Sequence, residues 1–371
     1  MDFHDGLAPH PRPRLTVIEQ GKAQRVPASA DRPRLRAATT ELVAAIGPSS
    51  SNDTTLSSDD EWRAREGYAM LHRIWKGVVG DDHMYHSASS DGLTWTDQRQ
   101  IRGRTSHGPA LIVFGRRLHR AWKGPGDDTN IYHSSSFDGL TWTDRQPIPD
   151  AYTSHGPALA VYNDTLYLAY RGSNTYMYMS SLPPDGQWSR PRPIAGRTSH
   201  NPALSAGNGR LYCLWKGVGT DTRMFTTSGS SEDPYLLLPV RAGGWELEIS
   251  GRTSHGPALT RVGTFCRLWK GEGTDARMFM STSDHPDGPA GTGYHIWSPP
   301  QQVGGQTSHG PALLPGGGLY RLWKNSADDT MLISIGTLTR PTASSVHIEW
   351  TAEQPISGLT SHTPSLVRFG L

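Results

Sequence analysis

From Thr253 onward the chain sets down its apolar residues in short runs separated by glycine and polar turns. The stretch TSHGPALTRVGTFCRLWKGEGTDARMFMSTS divides into PALTRV, then FCRLWK after a tight glycine turn, then ARMFMST after the loop GEGTD. WSPPQQV forms a fourth run before the next TSH. Runs of this length, bounded by Gly and rich in aromatic and β-branched residues, predict four short antiparallel strands. The second run recurs through the chain. Aligned on Trp75, Trp122, Tyr170, Trp215, Trp269 and Trp323, it carries Leu or Phe four residues earlier and Ile, Ala or Leu one residue earlier. A strand apolar on both faces is covered on both sides, as in a sheet stacked between copies of itself.

The repeat is also visible as a nonapeptide. GRTSHGPAL occurs from Gly103 and again from Gly251, with variants starting at Ala151, Gly196, Gly305 and Gly358. Its histidines, His107, His155, His200, His255, His309 and His362, are spaced by 48, 45, 55, 54 and 53 residues. That period is near that of propeller blades. The expectation is therefore all-β: a single β-propeller over residues 58–371, with six four-stranded blades and seven as the alternative. Residues 1–57, rich in Pro, Arg, Ser and Thr, are expected to form an extension outside the repeat. The first WKG, Trp75 to Gly77, has no TSH before it, and the last TSH, Thr360 to His362, is followed by one strand and no WKG. Each end supplies what the other lacks, so pairing of the N- and C-terminal strands should close the ring and remove its open edges.

In a four-stranded blade the loop entering the first strand and the loop between the second and third lie at the same end. TSH and WKGxGxD should therefore crowd one face of the disk. Lys76, Lys123, Lys216, Lys270 and Lys324 follow the aligned Trp, with Arg171 in the remaining copy. Asp81, Asp128, Asp221, Asp275 and Asp329 lie six residues after it. An aromatic ring, a cation, a carboxylate, a hydroxyl and an imidazole recurring together suit a sugar, which needs a platform for its C–H face and fixed partners for its hydroxyls. The same residues also suit a structural role, tying blade to blade. SSDGLTW (Ser89 to Trp95) and SFDGLTW (Ser136 to Trp142) are one residue short of the sialidase Asp-box and read as folding turns.

With TSHGPAL, the WKGxGxDxxM strand pair and the DGxTW turn, the region from about residue 60 to 371 resembles the bacterial PLL-type β-propeller lectins. That resemblance implies seven blades and several shallow inter-blade pockets for fucose or related, often O-methylated, sugars. It implies ligand-binding roles for Ser106, His107, Ser154, His155, Ser199, His200, Ser254, His255, Ser308, His309, Ser361 and His362, facing Trp75, Trp122, Trp215, Trp269 and Trp323. This sequence departs from the pattern where Tyr170-Arg171-Gly172 replaces WKG, where Asn325 follows Lys324, and where Asn201 and Thr363 follow the histidine.

Composition narrows the reading. A net charge of +2 over 371 residues gives no footprint for nucleic acid. The two cysteines, Cys213 and Cys266, sit at different offsets from the following Trp, which predicts reduced, buried thiols. No apolar run approaches membrane-spanning length and the N-terminus lacks a signal pattern, so the expectation is no membrane insertion and cytoplasmic residence by default, with release by a non-signal route left open. The expected partners are glycans or small saccharides, with oligomerisation open, and no cofactor or metal is expected.

Sites kept alike in every blade favour a multivalent lectin. The alternative is a propeller enzyme with one active site on the TSH/WKG face, using the repeat-breaking carboxylates Glu232, Asp233, Glu246, Glu248, Asp284 and Asp287 or the histidine ring. A protein-binding scaffold is a third reading.

Overall fold

The computed structural model describes residues 69–230, 247–286, 296–315, 318–342 and 345–370. The expectation of an extension at 1–57 lies outside the described residues. Six antiparallel sheets form a six-bladed β-propeller. Blade II is typical: Ala110–Phe114 innermost, then Arg117–Lys123, Asn130–Ser136 and Gln146–Tyr152. Blade III begins with Ala158–Tyr162, blade IV with Ala203–Gly207, blade V with Ala258–Val262 and blade VI with Ala312–Pro315. The innermost strands touch one another in a closed circuit. Blade VI adds a hairpin, because Thr330–Thr342 runs past the blade edge. Its first half pairs with Gln354–Leu359 and its second with Ser345–Trp350.

Blade I closes the ring as the sequence ends predict. Its innermost strand is the C-terminal Ser365–Phe369, antiparallel to Met70–Lys76 with Met70 opposite Phe369 and Ile74 opposite Ser365. The count is thus six, not the seven of the lectins the sequence resembles, and the described chain leaves no unpaired inner edge.

The core lies between sheets. Trp75, Trp122, Trp215, Trp269 and Trp323 are all at most 1% exposed. Each stacks on the aromatic residue beside it on the third strand where there is one, as Trp122 does on Tyr132 at 5.8 Å and Trp269 on Phe279 at 6.1 Å. Arg73, Arg120, Arg267 and Arg321 are also buried, and each guanidinium lies between two indoles. Arg120, for example, is 4.7 Å from the ring centre of Trp122 and 4.2 Å from that of Trp142. A desolvated guanidinium sandwiched this way gains cation–π energy of order 2 kcal/mol per face. Blades III and IV carry Leu168 and Cys213 at the same place and dispense with the cation. Both cysteines are buried and free.

The DGLTW stretches are turns, as expected. Asp91 Oδ1 accepts the amides of Leu93 and Thr94 at 2.8 Å each, and Trp95 Nε1 donates to Gly92 O at 3.0 Å. The glycine that opens GRTSH has a packing reason: Gly103 has φ +106°, and a Cβ there would lie 2.6 Å from Met84 Cε and 3.2 Å from Trp122. Gly103→Ala should therefore destabilise the protein by roughly 1–3 kcal/mol, measured as a lower denaturation midpoint; an unchanged midpoint would show that the blade I–II boundary is not tightly packed.

Candidate functional site

The TSH tripeptide has a different task for each residue. Each Thr is fully buried. Thr105 Oγ1 donates to His107 O at 2.8 Å and accepts His107 N–H at 3.2 Å, which locks the turn. Its own N–H donates to Asp82 O of the preceding blade at 2.8 Å. The same bond runs from Thr153, Thr198, Thr253, Thr307 and Thr360 to the loop of the blade before each, at 2.8–3.0 Å. The Ser turns to its own blade. Ser106 Oγ accepts from Lys123 Nζ at 2.8 Å, lies 3.1 Å from Gly124 O and 3.2 Å from His107 Nδ1. Ser199, Ser254, Ser308 and Ser361 repeat that pattern with Lys216, Lys270, Lys324 and Lys76. In blade III, Arg171 donates to Ser154. One hydroxyl with three partners has no capacity left for a ligand.

The lysines are structural as well. Lys123 Nζ also donates to Gly126 O at 2.7 Å and Asp128 O at 3.1 Å, so the WKG loop wraps its ammonium in carbonyls. The loop carboxylate pins the third strand: Asp128 accepts from Asn130 N–H at 3.1 Å and from Tyr132 O–H at 2.9 Å. In blade VI this role falls to Asp328, which accepts from Thr330 N–H at 2.9 Å. Asp329, the residue picked out by counting from the Trp, pairs instead with Lys324 at 3.1 Å. The blade VI loop wraps its lysine one residue earlier, with Lys324 bonded to Asp328 O.

The six histidines come together. Around the axis, in the order 107, 155, 200, 255, 309, 362 and back to 107, ring centres are 5.1, 5.6, 5.1, 5.4, 5.5 and 5.0 Å apart. They line an axial cavity of about 270 Å³ together with the residues that follow them. In the four copies where glycine follows the His, close approach requires it: a Cβ at Gly108 would sit 2.4 Å from Thr363 O, and one at Gly156 2.4 Å from Gly108 O. Thr363 itself bonds Gly310 O at 2.6 Å. The inner strands also line a cavity of about 430 Å³ of mixed polarity, with Leu111, Leu159 and Leu259 beside Thr260, Arg261 and Arg368.

Burial holds these imidazoles neutral. It pushes His107 and His200 down to about 3, and His155, His255 and His362 down to about 4, with neighbouring histidines and the lysine or arginine behind them adding to the fall.

The five tryptophans are not on this surface. They pack against the fourth strand of the preceding blade, where a Cβ at Gly103 would lie 3.2 Å from Trp122 and one at Gly358 2.6 Å from Trp75. The half-buried aromatics beside them or at the equivalent place are Tyr85, Tyr132, Tyr178 and Phe279, and Arg145 lies over the Tyr132 ring at 4.7 Å. Sequence reading passed over these residues, although an aromatic recurs ten residues after the Trp at Tyr85, Tyr132, Phe225 and Phe279. Two open pockets of about 340 Å³ each sit at equivalent boundaries. One, between blades VI and I, is lined by Gly77, Val78, Asp81, Tyr85, Gln98, Gly358 and Leu359. The other, between blades II and III, has Tyr152, Tyr170, Gly172, Asn174, Tyr178, Asp150 and Arg190. Asp81 bonds Tyr85 O–H at 2.8 Å in the first, and Asn174 donates to Tyr178 Oη at 2.8 Å in the second.

Of the repeat-breaking carboxylates, Glu232, Asp233, Glu246 and Asp287 lie outside the described residues. Glu248 is paired with Arg223 and Arg252 at 3.4 and 3.0 Å. Asp284 is held by both terminal nitrogens of Arg340 at 2.7 and 2.9 Å, which lowers its carboxyl to about 2. Its carbonyl accepts from Asn208, in the turn between the first two strands of blade IV, which is the end of the blade away from the histidines. No group of described His, Cys, Asp or Glu residues has metal-binding geometry, and no helix among the described residues is long and apolar enough to cross a membrane.

No protein-family model matches the sequence, and no curated protein is significantly similar to it. Solved structures do share the fold. The six-bladed fungal lectin of Aleuria aurantia, which has a novel fucose recognition mode, is 12% identical with a TM-score of 0.52, over 77% of this chain and 96% of that one. An arginine-to-alanine triple mutant of AofleA from Arthrobotrys oligospora is 9% identical with a TM-score of 0.50, over 79% and 87%. The α-L-arabinanase of Penicillium chrysogenum is 13% identical with a TM-score of 0.47, over 76% and 93%. At such identities the likeness to the first two is one of fold, in agreement with the six-bladed β-propeller that the sheets define.

The neutral histidines give the fold a pH dependence with a definite sign. Unfolded histidines titrate near pH 6.5, whereas in the folded ring five titrate at about 3 to 4 and burial lowers His309 as well. The unfolded chain therefore binds more protons between those limits, so the stabilisation is complete above about pH 6.5 and is lost as pH falls towards 3. Calorimetric melting temperatures should drop steadily from pH 7 to pH 4; a flat profile over that range would mean the imidazoles are not kept neutral by folding.

Proposed function

We propose that the protein is a multivalent carbohydrate-binding protein whose sugar sites are the pockets at the blade boundaries. The observation that carries this reading is their recurrence. The same place between two blades offers a tyrosine face, a polar group fixed beside it and an apolar rim, as Tyr85, Asp81 and Leu359 do at one boundary and Tyr178, Asn174 and Tyr152 at another. Gln98 adds an amide that has no protein partner among the described residues. An aromatic face takes the C–H side of a sugar, and fixed polar groups orient its hydroxyls. The fungal fucose lectin with the same fold, and the PLL-type lectins the sequence resembles, make fucose and its O-methylated forms the first sugars to test.

The glycosidase reading has less behind it. A pair of catalytic carboxylates about 5 to 9.5 Å apart needs one member kept protonated. Asp284 is instead held ionised by Arg340, and Glu248 is shared between two arginines.

Isothermal titration with L-fucose and its methyl ethers at millimolar concentration should give more than one site per chain. Tyr85→Ala should remove one of those sites and leave the others. A single site, or none with any neutral sugar on a glycan array, would overturn the reading.

A further inference from the structure

The axial histidine ring is separate from the sugar pockets, and its chemistry points to a different ligand. In a closed six-membered ring with sides of 5.0–5.6 Å, each imidazole centre lies about as far from the axis as from its neighbour. With Nδ1 taken by the serine behind it, Nε2 is the nitrogen left for the cavity, and it has no protein partner among the described residues. An Nε2 turned to the centre stands about 4 Å from the axis. A metal bound directly needs about 2.1 Å, so six ligands at that radius cannot close on one ion. A tetrahedral oxyanion does fit, since an X–O bond of about 1.5 Å and a charge-assisted N–H···O contact of about 2.8 Å together span about 4.3 Å.

Charge selects the same class. Behind the histidines, each one serine away, stand Lys76, Lys123, Arg171, Lys216, Lys270 and Lys324. Among the described residues only Lys76 and Lys324 have a carboxylate within salt-bridge distance, Asp82 at 3.8 Å and Asp329 at 3.1 Å, while Lys123, Lys216 and Lys270 feel Asp128, Asp221 and Asp275 at longer range. The other loop carboxylates, Asp128, Asp221 and Asp275, face their third strands. Among the described residues no acidic side chain lines the axial cavity. A cation on the axis would face six fixed positive charges, whereas an anion is attracted by all of them.

The serines also let the ring become a set of donors. Where Ser106 gives its hydrogen to Gly124 O, at 3.1 Å, His107 carries its proton on Nδ1. Where the hydroxyl turns to Nδ1, at 3.2 Å, the proton moves to Nε2 and faces the cavity. The change needs no net proton uptake, so neutral imidazoles can bind an anion at pH 7.

We propose that the axial ring of six histidines binds one small tetrahedral oxyanion, of the phosphate or sulfate kind, through Nε2–H donors backed by the lysine and arginine spokes. The test is calorimetric titration of the full chain with inorganic phosphate and with sulfate at pH 7, with hexaamminecobalt(III) as the cationic counterpart. The expected result is one oxyanion per chain and no binding of the cation. The double variant H107Q/H255Q, which alters two histidines on opposite sides of the ring, should weaken the oxyanion at least about tenfold, the loss of two hydrogen bonds. If the double variant does not fold, H255Q alone with nitrogen NMR of the remaining histidines replaces it, the anion being expected to shift their protons to Nε2. Sugar stoichiometry should be the same in variant and parent, so failure here leaves the lectin reading standing. No binding of either oxyanion, binding of the cation, or undiminished binding by the variants would overturn the proposal.

Discussion

The disk depends on one tripeptide placed where two blades meet. Threonine sends its amide to the loop of the preceding blade and closes the turn with its hydroxyl. Serine fastens the same turn to the lysine of its own blade, and histidine is left to face the axis. Two neighbours are thereby joined through backbone bonds that a change of side chain cannot supply elsewhere, and six repetitions account for the near-identity of the nonapeptide along the chain. The last copy joins the chain ends: Thr360 Oγ1 donates to Lys76 O at 2.8 Å and Ser361 Oγ to Gly77 O at 2.8 Å. Closure rests on the same chemistry as every other boundary, with the strand pairing of Ser365–Phe369 added to it.

Burying the five lysines of the WK loops is costly unless each finds acceptors. Backbone carbonyls of the WKG loop meet most of that need, so loop and lysine order each other. The loop in turn sets its Asp under the third strand, and the third-strand aromatic is held above the buried tryptophan. The pocket at the blade boundary is the outer product of this chain of contacts, and the histidine cavity the inner one. A single repeated motif thus generates two kinds of surface, open pockets at two of the blade boundaries and one polar cavity at the centre.

The number of blades, their four strands, the face on which TSH and WKG gather and the joining of the chain ends were all legible in the sequence, because each is written as a period or as a missing half-repeat. The site was less so. Tryptophan beside lysine looked like a sugar platform, but a strand apolar on both faces has to be covered, and the indoles are buried against the preceding blade. Serine looked like a ligand partner, yet its hydroxyl is fully engaged within the blade. Of the aromatics that reach solvent, Tyr85 belongs to a period of its own that the stronger one masked, and Tyr178 falls outside it because the loop of blade III is two residues shorter. The arginine between two tryptophans was also in view, two residues before the aligned Trp in four copies. A charged residue on a central strand reads as exposed unless both aromatic partners are known, and one of them lies in a distant turn.

The central claim, that sugars bind at the blade boundaries, is tested most directly by a crystal structure of the full chain with an α-methyl fucoside. The account predicts sugar density stacked on the tyrosine face of at least two boundaries, Tyr85 and Tyr178 among them, and none along the axis. Sugar found only within the histidine ring, or confined to one asymmetric cleft beside paired carboxylates, would contradict it.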